Sequence, residues 1–367
     1  MTPQSPPSAA RPAVSSQRVI SLPRWPAWVL AILGIASATV LLAAQTEPIR
    51  PYRPARQVSG TIRLWGHGSP TNHFMGELVS AWQTGFQRHQ PGIRFDDRMH
   101  GTASAIGALY AGVGDVAILG REILRSELAA FERVKGYRPL GIDIATGSLD
   151  VRNFDFALVV FVHKDNPLVQ LTLADLDGVF GCEHRRGSAN IRTWGQLGLA
   201  GEWAGRPIQT YGFALSRGFA LFFQDTVMGG SGRWNPGLRE YVDVKRPDGT
   251  LLDSGQQVLD SLGQDRYGIA VSSLLYATPL VKPLALATDP AGPAYHATKE
   301  NLISRRYPLT RFITAFVDRP PGAAVDPKVD EFLRYILSRE GQDAIVRDGR
   351  YLPLSTEAVR DQTLRLQ

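Results

Sequence analysis

Within this 367-residue chain, hydroxyl and arginine side chains recur in one setting: just after a short apolar run and just before a helical one. The fullest instance runs from Met99 to Ser126, a Gly/Thr/Ser loop, a short helix, a buried strand and a second loop carrying Arg121 and Glu122. Ile106, Leu109, Tyr110 and Val113 recur at steps of three and four, which predicts a helix with one buried face. Thr102 and Ser104 stand just ahead of that face, where a hydroxyl caps a helix and leaves backbone N–H groups pointing outward. A helix start carries about half a positive charge, and its first N–H groups have no partner within the helix. That is a seat for a phosphate-like or carboxylate group. An isolated Gly-Thr-x-Ser would do no more than cap a helix; what gives it weight is repetition.

The device occurs twice more. A strand over Thr61 to Trp65 leads into G-H-G-S-P-T-N-H, which holds Ser69 and Thr71, and then into a helix with Phe74, Leu78, Trp82 and Phe86 at four-residue steps. A strand over Pro207 to Tyr211 leads to Ser216-Arg217-Gly218 and a helix bearing Phe219, Phe222 and Phe223. Other chemistry finds less support. Gly66-His67-Gly68-Ser69-Pro70 fails as a nucleophile elbow, because His67 and Thr71 stand where glycines are needed. His67, His73 and His100 could ligate zinc but lack an i,i+4 helical pair and a cysteine, so three unrelated polar histidines are expected and no metal. Asp96 and Asp97 point to opposite sides of a strand end and cannot face each other. No Walker loop, zincin helix or dinucleotide fingerprint is present, and no cofactor is expected.

The chain is long enough for two lobes with separate cores. Hydrophobic content of 44% and charged content of 20% are those of a globular protein. The net charge is +6, part of it in an N-terminal region where Arg11, Arg18, Arg24, Arg50, Arg53 and Arg56 face only Glu47. A mildly basic body suits an anionic ligand. No basic run interleaved with aromatics predicts a nucleic-acid partner. Cys182 is alone, so neither an intramolecular disulfide nor a cysteine metal cluster is expected.

Residues 1–24 read as a disordered basic segment and 25–44 as a signal peptide or signal anchor. Trp28 to Ala44 is uncharged and would make roughly 25 Å of helix. A basic flank and the small residues Ala36-Ser37-Ala38 or Ala43-Ala44 fit export with cleavage. An uncleaved anchor with its basic end inside fits nearly as well. In both cases the body is expected outside the cytoplasm. Residues 45–58, rich in Pro and Arg, read as a linker.

Phe154 to Val162 predicts a buried strand, and Thr172-Leu173-Ala174-Asp175 a capping box ahead of a helix with Leu173, Leu176, Val179 and Phe180 on its face. Val258 to Leu262 begins a helix, while Tyr267 to Val271 and Tyr307 to Val317 read as strands. Asp326-Pro327 gives an N-cap with proline in the first turn, and Ser338 to Gly349 a second short helix. The alternation predicts an α/β fold with mainly parallel sheets and a ligand where loops leave the carboxyl ends of strands.

Several of these segments carry a family resemblance. Asp326 to Ser355, D-P-K-V-D-E-F-L-R-Y-I-L-S-R-E-G-Q-D-A-I-V-R-D-G-R-Y-L-P-L-S, resembles the closing helices and G-Y-L-P-L ending of the phosphate-binding periplasmic proteins of ABC transporters. Leu171 to Phe180 followed by Ile191 to Gly198 is similar to that family's L-T…I-F-x-G-x-I-x-x-W-x-x-L segment. Tyr267-Gly268-Ile269 resembles its I-G-Y strand, and Tyr307 to Arg311 its return crossing. The likeness covers most of Gly60 to Ser355.

The resemblance implies a two-lobed solute-binding protein of type II, with lobe 1 at residues 59–156 and 304–367 and lobe 2 at 157–303. It implies closure around an oxyanion held by loop hydroxyls and helix-end N–H groups. The ligand positions fall on Ser69 and Thr71, on Thr102 and Ser104, on Arg121, and on Ser216 and Arg217. Two places depart from the family pattern. Its third loop, R-x-x-G-S-G-T, aligns here with G-F-A-L-S-R-G at 212–218, and Gly120 stands where some phosphate binders carry an aspartate that accepts the ligand's proton. Arg121 and Arg217 would each supply a fork in place of the missing donors. The expected protein is a monomeric, non-enzymatic receptor for phosphate or a related oxyanion, partnered by a membrane permease or sensor. A membrane-anchored signalling or scaffold module with an altered ligand is the second reading, and a phosphoester hydrolase a third.

Overall fold

The computed structural model describes residues 48–68, 75–152 and 154–367. The first part of the chain runs β1 (Ser59–Gly66), α1 (Gly76–His89), β2 (Gly92–Arg98), α2 (Thr102–Tyr110), β3 (Val116–Leu119), α3 (Arg125–Lys135) and β4 (Leu140–Thr146). It then crosses to β5 (Val159–His163), α4 (Leu173–Phe180), β6 (Gln209–Phe213), α5 (Gly218–Thr226), β7 (Arg239–Tyr241), α6 (Ser254–Gly263), β8 (Gly268–Ser272) and β9 (Val281–Pro283). It returns as β10 (Phe312–Val317) and closes with α7 (Pro327–Leu337), α8 (Arg339–Asp348) and α9 (Thr356–Arg365).

Two five-stranded sheets result, ordered β2-β1-β3-β10-β4 and β9-β5-β8-β6-β7. The fold is α/β, with helices packed on the sheets, and the sheets are mixed rather than mainly parallel. β1 pairs parallel with β2 and β3, but the returning β10 runs antiparallel to both β3 and β4. In the second sheet β6 pairs parallel with β7 and β8, while β5 is antiparallel to β8 and β9. The strands that deliver the hydroxyl turns are thus the parallel ones. A strand that returns from the other sheet enters at the carboxyl edge and so runs the opposite way.

Each sheet has its own core. Trp82, Phe86 and Phe332 pack with Ile62, Leu64 and Ile144 on the first. Phe161, Phe180, Trp194 and Phe223 pack with Val160 and Ile269 on the second. The local signals act as their chemistry requires. Thr172 Oγ1 accepts from Asp175 N at 3.0 Å while Asp175 accepts from Thr172 N at 2.9 Å, closing the capping box of α4. Asp326 accepts from Lys328 N, with Pro327 in the first position of α7.

Further expectations change. Val113, placed on a buried helical face, follows the end of α2 at Tyr110 and is 49% exposed. Residues 154–158 are not strand, although Phe156 to Leu158 are buried. Part of the expected linker is docked: the buried Tyr52 donates its hydroxyl to Glu331 Oε2 at 2.6 Å, and Ala55 and Arg56 donate backbone N–H groups to Glu331 Oε1. The apolar stretch Trp28 to Ala44, the segment 1–24, and Ser69, Thr71, His73 and Phe74 lie outside the described residues. Among the described residues no helix is long and apolar enough to cross a membrane.

Candidate functional site

The turns that leave β1, β2, β3 and β6 meet at one edge. Gly101 N donates to Gly66 O at 3.2 Å, and His67 N donates to Ile118 O at 2.8 Å, tying the first two turns and β3 together. Gly66 has φ of 141°, and a methyl group there would lie 1.8 Å from Ile118 O, so only glycine fits. The loop after β3 reaches the start of α5, where a methyl group on Gly218 would lie 3.5 Å from both Cβ and Cδ of Arg121. The loop after β3 and the start of α5 therefore meet at Arg121.

The predicted ligand groups have specific employments. α2 begins at Thr102 with Gly101 as its N-cap, and neither Thr102 nor Ser104 caps it, contrary to the expectation for these hydroxyls. Ser104 instead donates to Gly101 O at 3.0 Å. The first N–H groups of α2 are thereby left without a side-chain cap, and α5 starts in the same way behind Arg217. Arg121 forks onto Glu127 at 2.9 and 2.6 Å, and Glu127 also accepts from Leu124 N at the start of α3. Arg217 pairs with Asp243, a carboxylate that also receives Ser254 N and Oγ. Ser216 is exposed beside it. Both arginines expected to fork on a ligand are thus held by carboxylates.

A third arginine, not singled out by its sequence motif, lies deepest. Arg311 is 1% exposed. Its Nε and Nη2 donate to Glu122 at 3.0 and 2.7 Å, and its Nη1 lies 2.8 Å from Asp155 Oδ1. The guanidinium sits 4.8 Å from the ring centroid of Phe219, in the first turn of α5, and 5.5 Å from that of Phe222. Phe219 in turn stacks on Phe156 and Phe213. Burial alone would lower the Arg311 pKa; the charges of Glu122 and Asp155 overcome it and hold the group above the ordinary arginine value.

His67 completes the cluster. Its ring is buried, its Nε2 lies 2.8 Å from the Tyr351 hydroxyl, and a methyl group on Gly120 would stand 2.2 Å from its Cε1. The bare Gly120 is thus explained by the imidazole, which occupies the space a side chain at 120 would need. Burial, opposed by Asp155 and aided by Arg311, lowers the His67 pKa and favours the neutral ring. Burial likewise pushes the Tyr351 hydroxyl well above its usual value. Among the described residues no group of three or more His, Cys, Asp or Glu side chains could hold a metal. A groove of about 700 Å³ runs between α1 and α8, lined by Glu77, Glu340, Asp343, Arg88 and Arg347 among others.

Asp155 and Arg311 belong to no hydroxyl turn and carry no motif spacing. Each is the lone charge in an apolar run, F-D-F-A-L-V-V-F-V and Y-P-L-T-R-F-I-T-A-F-V. A single buried charge demands a partner, and opposite signs in two such runs were the available signal.

Fold and site together define a two-sheet binding protein with its polar turns gathered at one edge. Residues 56–340 match the PBP superfamily domain, and the chain belongs to the family of periplasmic-binding-protein-like phosphate-binding proteins. The phosphate-binding protein PstS of Pseudomonas aeruginosa is 31% identical over 329 residues, covering 89% of this chain and 92% of that one. Protein SphX of Synechococcus elongatus is 24% identical over 340 residues, 91% of this chain and 90% of that one. The crystal structure of PstS from Borrelia burgdorferi shares the fold with a TM-score of 0.52 at 16% identity, over 81% of this chain and all of that one.

Proposed function

We propose that this protein is an exported receptor that captures phosphate between its two sheets and delivers it to the permease of an ABC transporter. The observation that carries this reading is the likeness to a phosphate-binding protein along 89% of the chain, including the segments that gather the hydroxyl turns. The lobes are residues 59–156 with 304–367 and residues 157–303, joined by the crossings near Asp155 and Arg311. The ligand lies between them, in reach of the N–H groups and hydroxyls at Thr102 and Ser104, of the start of α5 at Ser216 and Arg217, and of Ser69 and Thr71 in the turn after β1. Arg121 positions the loop after β3 through its fork on Glu127.

Differential contact with the closed form drives closure, and no bond is made or broken. The protein acts outside the cytoplasm as a monomer, and residues 25–44 direct its export. Titration of the purified protein with phosphate, followed by thermal unfolding, tests the reading. A ligand at 100 times its Kd stabilises by about 2.7 kcal/mol. Phosphate is expected to give that shift, and Thr102→Ala to diminish it.

A further inference from the structure

The three arginines near the edge share one property: each is already matched by a carboxylate. Arg121 has Glu127, Arg217 has Asp243, and Arg311 has both Glu122 and Asp155. The Arg311 group therefore carries one net negative charge, the wrong sign for receiving an anion. Its three members are not equally fixed. Arg311 and Asp155 lie on the two crossings, which are joined by Gly147 N donating to Arg311 O at 2.8 Å and Leu158 N to Leu309 O at 3.2 Å, while Ser148 N donates to Asp155 O at 2.6 Å within the first. Glu122 lies in the loop after β3, outside any helix or strand, and its side chain is the most exposed of the three at 22%.

Glu122 also presents two oxygens to the planar fork of Nε and Nη2, the arrangement by which guanidinium takes an oxyanion. That fork lies over Phe219, at the uncapped start of α5. Asp155 Oδ2 and Arg311 Nη1 are buried without a hydrogen-bond partner, although Nη1 is in ion-pair range of Oδ1.

We propose that Glu122 is a tethered competitor: its carboxylate occupies the Arg311 fork, and an incoming oxyanion takes that fork as Glu122 swings out toward solvent. The inference rests on the phosphate-receptor reading. Leaving, Glu122 removes one negative charge from the cluster and frees the Nε–H and Nη2–H donors of Arg311 for the ligand. Arg311 stays paired with Asp155 throughout, so no buried charge is left bare. Glu122 thus sets the affinity rather than contributing to it.

The test compares wild type, Glu122→Gln and Glu122→Ala by calorimetric titration with inorganic phosphate, alongside thermal unfolding of the ligand-free proteins. Both variants are expected to bind phosphate at least about tenfold more tightly than wild type. Both are expected to melt lower without ligand and to gain more from phosphate. Wild-type binding with equal or weaker binding by folded variants overturns the competitor role and leaves the receptor reading standing. Absence of phosphate binding in all three proteins overturns the receptor reading and this inference with it. Arg311→Gln in a Glu122→Gln background is expected to lose the gain; retention of the gain without Arg311 likewise overturns the proposal.

Discussion

Asp155 and Arg311 stand on the two separate crossings between the sheets and meet at 2.8 Å, each the only charge in its apolar run. The pair therefore joins the two places where the chain passes from one sheet to the other, and its loss falls on the geometry that brings the turns together.

Asp155→Ala leaves Arg311 forked on Glu122 but strips its Nη1 of the Asp155 carboxylate, and is expected to lose about 1.5–3 kcal/mol in chemical denaturation, the worth of one charged hydrogen bond. Arg125→Ala, which breaks an exposed pair with Asp225, is expected to lose less than about 1 kcal/mol. Equal losses in the two variants would contradict the assignment of Asp155 to the buried cluster.

Gly120 and His67 make a steric prediction. A methyl group at 120 would enter the imidazole ring's space, 2.2 Å from Cε1, so Gly120→Ala is expected to destabilise by about 1–3 kcal/mol. Combining it with His67→Ala is expected to cost less than the sum of the two single changes, since the clash then disappears. Strict additivity in the double-mutant cycle would show that the two positions do not touch.

His67 also makes a pH prediction. Its folded pKa lies below the unfolded value of about 6.5. Between those two values the unfolded chain binds more protons than the folded one, so stability rises with pH. The contribution is fully present above the unfolded pKa and is lost as the pH falls from about 6.5 toward the folded value. His67→Gln, whose amide still reaches for Tyr351, is expected to flatten the stability profile between pH 7.5 and pH 5.5, relative to wild type, by about the His67 contribution. Parallel profiles for the two proteins would contradict the buried, neutral ring.

Much of the fold could be read before the structure because its signals are local. The capping box at Thr172 and Asp175, the Asp326-Pro327 start and the Leu78, Trp82, Phe86 spacing each depend on residues a few positions apart. The strand–turn–helix order at Thr102 and at Ser216 is local in the same way, although neither Thr102 nor Ser104 caps α2; the structure ties Gly66 to Gly101 and sets Arg121 against Gly218. What could not be read depends on distant partners. Arg121 looks like a ligand fork until Glu127 folds back on it, and Arg217 until Asp243 arrives from 26 positions away. The Glu122–Arg311 pair spans 189 positions, and no spacing rule connects them. β4 and α9 carried no motif and were found only in the structure.

The most direct test of the central claim is the unfolding temperature of the wild-type protein measured with phosphate, sulfate and no added anion. A saturable rise with phosphate, reaching the equivalent of about 2.7 kcal/mol at 100 times the Kd, is the predicted result. An unfolding temperature that stays the same across all phosphate concentrations would contradict the account of this edge as a phosphate site.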